Sequence, residues 1–368
     1  MHEILKKIIV IGGGIIGASF AYHASKYDLE KITILTDALP GDKKQATSNT
    51  WGWVNGYTDN DKTYADFRLA NLDYWPKLLQ ELNNIIPTSK GAFIWDMDQE
   101  DLSQTIVKHQ NWGHSVKIVS QSELEENLPE LKKIPLIAGF GENDLAVEGP
   151  KITASLIDKS GCEVQHNKVI GLVYENNQVL GVKTEKEIIN ADEIIIAAGL
   201  GAPALLSSIN VSFEMKSSMG LLAYTKPLPL LLKHPITGKD FHARQDDQGR
   251  LIIGGKFDDD ASKEKDIKIA AEKLVQDMAS RLNYNELMTL DYFTIGSRPL
   301  PLDGKPKIGR LKNQLSKDIK GIYLAVMHSG ITNAPLAGKL GIAEIIKGER
   351  HHLLSDFIPQ QATASEKS

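Results

Sequence analysis

The most constraining feature of this chain is a glycine-rich turn between a short apolar strand and a helix near its N-terminus. Residues 7–11 (KIIVI) form an almost wholly apolar, β-branched run that stops at three glycines, as is typical of a strand buried on both faces. Ile16, Phe20 and Ala24 then recur at helical spacing, and residues 31–35 (KITIL) restore the strand pattern. The sequence therefore predicts a β-α-β unit.

Three glycines in this turn have the spacing of a dinucleotide-binding fingerprint. Gly12, Gly14 and Gly17 spell G-x-G-x-x-G, with Ile15 and Ile16 opening the helix. The first glycine permits the tight turn, the second lets a pyrophosphate approach the backbone, and the third lets helix and strand pack closely. Free N–H groups at the helix N-terminus favour phosphate. We expect a bound dinucleotide, and a glycine-rich turn without a ligand is the alternative.

An acidic residue follows the second strand at the distance expected for ribose recognition. Asp37 stands 20 residues after Gly17, and its carboxylate would accept ribose hydroxyls and repel a 2′-phosphate. This favours FAD or NAD over NADP. Two alternatives stay open: Thr36 stands where an acidic residue often closes the strand, and Asp37 alone is also consistent with a solvated turn. A nicotinamide-dependent dehydrogenase would share the same fingerprint.

Composition excludes several other classes of protein. The 368 residues carry 42 Lys and Arg against 47 Asp and Glu, a net charge of −5 without a basic block, so a nucleic-acid partner is not expected. No apolar run reaches the roughly 20 residues that span a bilayer. The one cysteine, Cys162, excludes an internal disulfide, and the pair His351 and His352 lacks ligands at metal spacing. We predict a cytoplasmic protein without a metal site or an integral membrane segment.

Four segments of the chain, in order, carry a resemblance to a known family. They read KKIIVIGGGIIGAS, ATSNTWGWVN, INADEIIIAAGLGAP, and IGSRPLPLDGKPKIG followed by IYLAVMHSGITNAPLAGKLGIAEII. They resemble the D-amino-acid oxidase/glycine oxidase superfamily of FAD-dependent amine and amino-acid oxidoreductases. The C-terminal pair is the specific part, because a nicotinamide dehydrogenase is not expected to end in this way.

Rossmann-like strand and helix patterns lie at both ends and in the middle of the chain, so we expect an α/β fold in which the chain crosses between two domains several times. A Rossmann-like FAD-binding domain is interleaved with a mixed-sheet α+β substrate-binding domain. We assign residues 1–85, 141–215 and 296–358 to the first domain, and residues 86–140 and 216–295 to the second. Residues 359–368 are expected to form a flexible tail.

A second helix N-terminus is predicted near the end of the chain. Gly330 to Pro335 lies between an apolar strand and an amphipathic helix, with Thr332 in the place of an N-cap. Such a helix end could face the isoalloxazine edge where negative charge accumulates on reduction, and an ordinary capped helix is the alternative.

The resemblance also implies which residues meet the cofactor. In the family, the loop matching Ala46 to Ser48 lines FAD, and the position of Val169 meets the adenine through its backbone. The full set of expected cofactor residues is Gly12, Gly14, Ile15, Ile16, Gly17, Asp37, Thr47, Ser48, Val169, Ala198, Gly199, Gly330, Ile331 and Thr332. Some relatives attach FAD through a cysteine near the C-terminal motif. Because Cys162 is far from it in sequence, we expect non-covalent FAD.

Four residues are the candidates for the substrate site. Arg298 resembles the arginine that pairs with a substrate carboxylate, for which a guanidinium offers a planar, bidentate match. Tyr224 and Arg244 lie on strands expected to wall the pocket, and His328 precedes the predicted flavin edge. A structural ion pair for Arg298, packed or edge positions for Tyr224 and Arg244, and a structural histidine remain the alternatives.

The implied reaction is oxidation of the C–N bond of an amino acid or secondary amine, such as a D-amino acid, glycine or sarcosine. Hydride passes to flavin N5, and the resulting imine hydrolyses to an oxo acid, with oxygen or a carrier as the electron acceptor. No side-chain base is required, because positioning and electrostatics supply most of the catalysis. A flavoprotein subunit that is inactive without a partner is a further alternative.

Overall fold

The computed structural model describes residues 6–255, 264–284, 286–313 and 315–359. Within these residues lie helices α1 (Ile15–Ala24), α2 (Lys62–Glu81), α3 (Gln99–Asn111), α4 (Gln121–Asn127), α5 (Gly149–Ser160), α6 (Ala202–Ser207), α7 (Glu264–Arg281) and α8 (Gly330–Lys347). The strands are β1 (Lys7–Ile11), β2 (Lys31–Thr36), β3 (Trp53–Val54), β4 (Ser89–Trp95), β5 (Val116–Ser120), β6 (Ile137–Ala146), β7 (Glu163–His166), β8 (Val169–Glu175), β9 (Gln178–Thr184), β10 (Ile188–Asn190), β11 (Glu193–Ile196), β12 (Met215–Thr225), β13 (Ile236–Gly238), β14 (Phe241–Gln245), β15 (Leu251–Gly255), β16 (Leu290–Pro301), β17 (Lys307–Lys312) and β18 (Asp318–Val326).

The first of two compact units is built on a sheet with a parallel centre. It contains residues 6–48, 150–218 and 298–359 of the part described. Strands β7, β2, β1, β11 and β18 pair in parallel in that order, so their carboxyl ends lie along one edge. In open α/β sheets ligands bind at this edge. The β-α-β unit predicted from the sequence is present, because α1 connects β1 to β2.

Two helices of this unit pack closely because small residues separate them. The Ser19 hydroxyl of α1 donates a hydrogen bond of 2.6 Å to the Ala334 carbonyl of α8. A Cβ on Gly338 would lie 2.7 Å from the carbonyl group of Ser19, and one on Gly341 would lie 2.6 Å from the Phe20 ring. Only glycine permits this approach at either position, since real Cβ atoms do not come within 3 Å of such neighbours.

The second unit contains residues 49–149 and 219–297, less the undescribed ones. Its sheet has the order β16-β12-β15-β14-β13-β4-β6-β3, with β5 also paired to β6. Helices α4 and α7 and one sheet face enclose an apolar core that includes Phe93, Leu124, Ala243 and Met278. The expected mixed α/β architecture is thus present.

The boundaries of the units differ from those expected from sequence. Residues 49–85 and 141–149, which we had placed with the FAD-binding domain, group with the second unit. The reason is pairing: within the aromatic segment 49–57, Trp53 and Val54 form β3 on β6. Of the expected tail, residues 360–368 lie outside the described residues.

Candidate active site

The glycine turn of the first unit has the geometry that a pyrophosphate requires. Gly12 has φ +113°, and a Cβ there would collide with the Ala197 carbonyl. Gly17 packs on the Gly12 carbonyl in the same way, so the helix start lies directly against the strand end. By contrast, among the described residues the only atom that a Cβ on Gly14 would meet within 4 Å is Oγ1 of Thr47, at 3.1 Å. The turn therefore packs tightly against the sheet at Gly12 and Gly17, whereas Gly14 leaves space beside its backbone.

The sequence of α1 provides no side chain of its own to cap its N-terminus. Its N-cap is Gly14, which has no side chain to accept the first N–H groups, and its first turn contains no acidic residue. The Thr47 hydroxyl accepts from the Ile15 N–H at 3.1 Å. Ser48, one residue further on, has a buried Oγ with no hydrogen-bond partner in the described chain. Because buried hydroxyls are normally satisfied, this oxygen fits a contact with a bound group.

The second predicted helix N-terminus lies beside the first. A Cβ on Gly330 would be 3.4 Å from the Ile16 side chain, so α8 begins next to the first turn of α1. Its N-cap is Ser329, with φ 55° and no side-chain cap, and its first turn carries no acidic residue. The expectation of Thr332 as N-cap is wrong. The helix starts at Gly330, which puts the fully buried Thr332 inside the first turn.

The residues expected at the adenosine end come together at the end of β2. Thr36 is buried, and its Oγ1 accepts from the Gly13 N–H at 3.2 Å and donates to the Ala38 carbonyl at 2.7 Å. Asp37 is exposed, and its carbonyl lies 3.1 Å from Nε2 of His166 on the neighbouring strand β7. The buried Val169 follows three residues later at the start of β8. Thr36 thus supports the turn, and ribose recognition by Asp37 stays a prediction.

Two of the substrate-site candidates belong to the first unit. Arg298 is exposed, and its guanidinium donates to the Ser218 hydroxyl at 2.8 Å and to the Ser218 carbonyl at 3.4 Å. Its neighbour Pro299 lies 4.0 Å from where a Cβ on Gly199 would be. Arg298 is thereby set beside the carboxyl end of β11. His328 is half-buried at the end of β18, with Nδ1 3.0 Å from the Ser329 hydroxyl.

The other two candidates lie in the second unit, in different surroundings. Tyr224 is buried and stacks on Tyr292, with ring centroids 4.3 Å apart and planes 13° apart. Burial raises the pKa of Tyr224 to about 12, so its hydroxyl stays a neutral donor at physiological pH.

Arg244 is bound by the protein itself. Its side chain is only 1% exposed and forms an ion pair with Glu148, with Nη1 to Oε1 at 2.7 Å. It also donates to the Trp51 carbonyl and, at 3.3 Å, to the Thr88 hydroxyl. Through these bonds Arg244 holds the Trp51 backbone and the Glu148 side chain. Direct substrate contact by Arg244 stays a prediction.

Sequence reasoning missed three residues of these surroundings. Thr36 and Ser329 shape the two turns, and Glu148 neutralises Arg244. The signal for Thr36 was present, since the hydroxyl stands at the very end of a buried strand and faces the glycines. Neither the left-handed backbone of Ser329 nor the pairing of Glu148 with a residue 96 positions away has a local sequence signal.

The part of the chain that the structure describes contains neither a cluster of metal ligands nor a membrane-spanning helix. No group of three or more His, Cys, Asp or Glu side chains there has an arrangement that could hold a metal ion. None of the helices described is both long and apolar enough to cross a membrane.

Comparison with known proteins identifies the family of this chain. Residues 7–343 match the DAO family, FAD dependent oxidoreductase. Glycine oxidase of Bacillus licheniformis is 26% identical over 92% of this chain and 92% of its own. An uncharacterised oxidoreductase of Bacillus subtilis is 24% identical over 98% of this chain and 100% of its own. The chain belongs to the FAD-dependent oxidoreductase (DAO) family.

Solved structures show the same fold. L-proline dehydrogenase from P. horikoshii superimposes with a TM-score of 0.82 at 19% identity, over 96% of this chain and 97% of the other. Glycine oxidase from Geobacillus kaustophilus gives a TM-score of 0.78 at 19% identity, over 98% and 100% of the two chains. The resemblance stated from the four sequence segments is confirmed, and the protein is an enzyme of the FAD-dependent amino-acid oxidoreductase class.

The residues present fit FAD. Two uncapped helix N-termini lie side by side at the carboxyl edge of the parallel strands, one open to a pyrophosphate at Gly14. The unsatisfied Ser48 hydroxyl lies in the loop that follows β2. Family membership favours FAD over the nicotinamide alternative, and the contacts of the individual residues with FAD stay predictions.

Proposed function

We propose that this enzyme oxidises the C–N bond of an amino acid or secondary amine that carries a carboxylate, and passes the electrons to oxygen or a carrier. The observation that carries the proposal is the position of Arg298. Its guanidinium is exposed, and the adjoining Pro299 packs against Gly199 at the edge where FAD is expected. The names of the relatives support it, since they refer to oxidation of glycine, L-proline and iminodiacetate.

FAD, when bound, would accept the hydride of the substrate and, with it, the two electrons of the oxidation. The chain's own residues bind and orient. The Arg298 guanidinium holds the carboxylate by two parallel hydrogen bonds and keeps its charge at any physiological pH. The N-terminus of α8, uncapped and without a nearby carboxylate in its first turn, favours negative charge at Gly330 to Thr332. No ionisable base is needed if the amine binds in its neutral form.

We also propose that FAD is held without a covalent bond. Cys162 is half-buried and directly precedes β7, whose carboxyl end lies at the edge where FAD is expected. The cysteine is therefore at the opposite end of a four-residue strand, about 13 Å away at 3.3 Å per residue. Burial also raises the pKa of the Cys162 thiol, which disfavours the reactive thiolate.

Substitution of Arg298 tests the proposed reaction. Arg298→Ala should keep FAD bound but lower kcat/KM for amino-acid substrates by about 30-fold to several thousandfold, corresponding to roughly 2–5 kcal/mol for a desolvated charge pair. Arg298→Lys should recover only part, because an ammonium cannot form the two parallel bonds.

Two controls separate binding from structure. Amines without a carboxylate should be oxidised almost as fast by Arg298→Ala as by wild type. Ser218→Ala removes the hydrogen bond of 2.8 Å to Arg298 but leaves the guanidinium, and should retain most activity. Equal losses for both substrate classes would assign Arg298 a structural role instead.

A further inference from the structure

The second unit contains a buried polar cluster that the proposed reaction does not use. The side chains of His114 and Asp144 are both 0% exposed, with Nε2 and Oδ1 3.6 Å apart, too long for a direct hydrogen bond. Four polar atoms of the cluster have no hydrogen-bond partner among the residues described: both ring nitrogens of His114, Oδ1 of Asp144 and the hydroxyl oxygen of Tyr57. Burial raises the pKa of the Asp144 carboxyl. Such unsatisfied buried groups are uncommon and call for a reason.

One bond of this cluster reaches the aromatic segment 49–57. Oδ2 of Asp144 accepts the indole N–H of Trp53 at 3.0 Å. The carboxyl fits there because residue 141 is glycine: a Cβ on Gly141 would lie 2.7 Å from Oδ2 of Asp144. The backbone of the segment contributes only the two-residue strand β3, paired to β6, and so short a strand is weak by itself. The side-chain bond from Trp53 is therefore a main anchor.

The anchored segment in turn sets the position of Trp51. The ring centroids of Trp51 and Trp53 are 5.2 Å apart, and those of Trp51 and His242 are 4.5 Å apart. Trp51 packs on the apolar cluster that contains Tyr224, and its carbonyl accepts from Nε of Arg244. The buried carboxyl of Asp144 is thus connected through two tryptophans to the surroundings of Tyr224.

We infer that Asp144 is a positioning residue that holds the aromatic segment 49–57 and thereby sets substrate affinity. The inference rests on the proposed function and on the sequence-based prediction that Tyr224 belongs to the substrate site. Asp144 acts through Trp53 and does not touch the reacting atoms. Its removal should weaken substrate binding and leave the chemical step nearly unchanged.

The test uses full-length holoenzyme with Asp144→Ala, Asp144→Asn and Trp53→Phe. The matched control is Glu142→Gln, which alters an exposed carboxylate on the same strand that pairs with Lys117 at 3.6 Å. Asp144→Ala and Trp53→Phe should raise KM about tenfold with kcat changed less than twofold, as expected for loss of one buried hydrogen bond. Asp144→Asn keeps an oxygen for the Trp53 N–H and should recover most of the affinity, while Glu142→Gln should behave as wild type.

Acrylamide quenching of tryptophan fluorescence provides a reading that needs no turnover. Quenching should increase in Asp144→Ala as Trp51 and Trp53 gain access to solvent, and return toward wild type in Asp144→Asn. If Asp144→Ala does not fold, Trp53→Phe decides through its KM. Unchanged KM and quenching in folded variants would overturn the inference. If no amino acid or amine is oxidised at all, the proposed function fails, and quenching alone decides the positioning role.

Discussion

The Ser48 hydroxyl is a single group whose loss should have opposite effects on the two forms of the enzyme. In the described chain it is buried without a hydrogen-bond partner, which costs roughly 1 kcal/mol or more in the apoprotein. Ser48→Ala should therefore raise apoprotein stability by about 1 kcal/mol and raise the Kd for FAD by about tenfold, if the hydroxyl binds the cofactor. Apoprotein unfolding and FAD titration measure the two effects.

Ser208 provides the matched control for this variant. Its hydroxyl is fully used, accepting from the Leu172 N–H at 3.1 Å and donating to the Leu205 carbonyl at 2.7 Å. Ser208→Ala should destabilise the apoprotein and leave FAD affinity unchanged. A Ser48→Ala variant that follows the same pattern would show that Ser48 is an ordinary structural serine.

Residue-scale prediction from the sequence worked where chemistry and position are both local. The glycine fingerprint lies at the end of β1 and Ser48 lies in the loop after β2, at the places in the chain order that the sequence predicted. For Arg244 the sequence did not show that Glu148, far away in the chain, would pair with it. Long-range ion pairs leave no periodic trace, so the environment of such a residue could not be predicted.

At the scale of elements, the contact between α1 and α8 fixes both helix N-termini. A methyl group on residue 338 would come within 2.7 Å of the Ser19 carbonyl, so Gly338→Ala has to push the helices apart. We expect the free energy of unfolding to fall by about 2 kcal/mol, typical of an overpacked core, and FAD affinity to fall with it. Denaturant unfolding and FAD titration test this.

Gly171→Ala is the appropriate comparison for this substitution. Its added methyl group would be 3.7 Å from Ser208, an ordinary contact. Stability and FAD affinity should stay close to wild type there. Were Gly338→Ala equally well tolerated, the close helix contact would not be what holds the two N-termini together.

The stability of the second unit depends on pH because of histidines in helix α3 and in the turn after it. Burial and the neighbouring His114 lower the pKa of His109 from its usual 6.5 to about 4. The unfolded chain therefore takes up a proton first as pH falls, so stability present above pH 6.5 is lost toward pH 4. The loss approaches about 3 kcal/mol. Urea unfolding between pH 7 and 4 should show this slope, and His109→Gln should flatten it. A steep acid slope that persists in His109→Gln would mean that other groups cause it.

Element prediction succeeded for periodic segments and failed for short ones. The run 7–11, the helix after it and the strand 31–35 have strong patterns, and all three are present. The two-residue strand β3 has no period to detect, and its pairing with β6 depends on residues 91 and 93 positions away. The start of α8 was misplaced at Thr332 because the true N-cap, Ser329, adopts a left-handed backbone that Gly usually provides.

At the scale of the whole molecule, the sequence predicted that the segments of two units alternate along the chain. It did not predict where each unit begins and ends. The order of strand and helix patterns along the chain indicated several crossings between two units, and three segments do form the first unit. The boundaries moved because the residues after Asn49 pair with β6 rather than with the parallel sheet. Such pairing is a property of the assembled sheet and is invisible in a local window.

Anaerobic flavin reduction tests whether this FAD-dependent enzyme oxidises amino acids or secondary amines that bear a carboxylate. Purified holoenzyme is mixed without oxygen with D-, L- and N-methyl amino acids, with matched amines lacking the carboxylate, and with NADH. We expect at least one amino acid to bleach the flavin's visible absorbance, at lower concentration than its decarboxylated counterpart. Bleaching by NADH alone, or by no amino acid or amine in the panel, would contradict it.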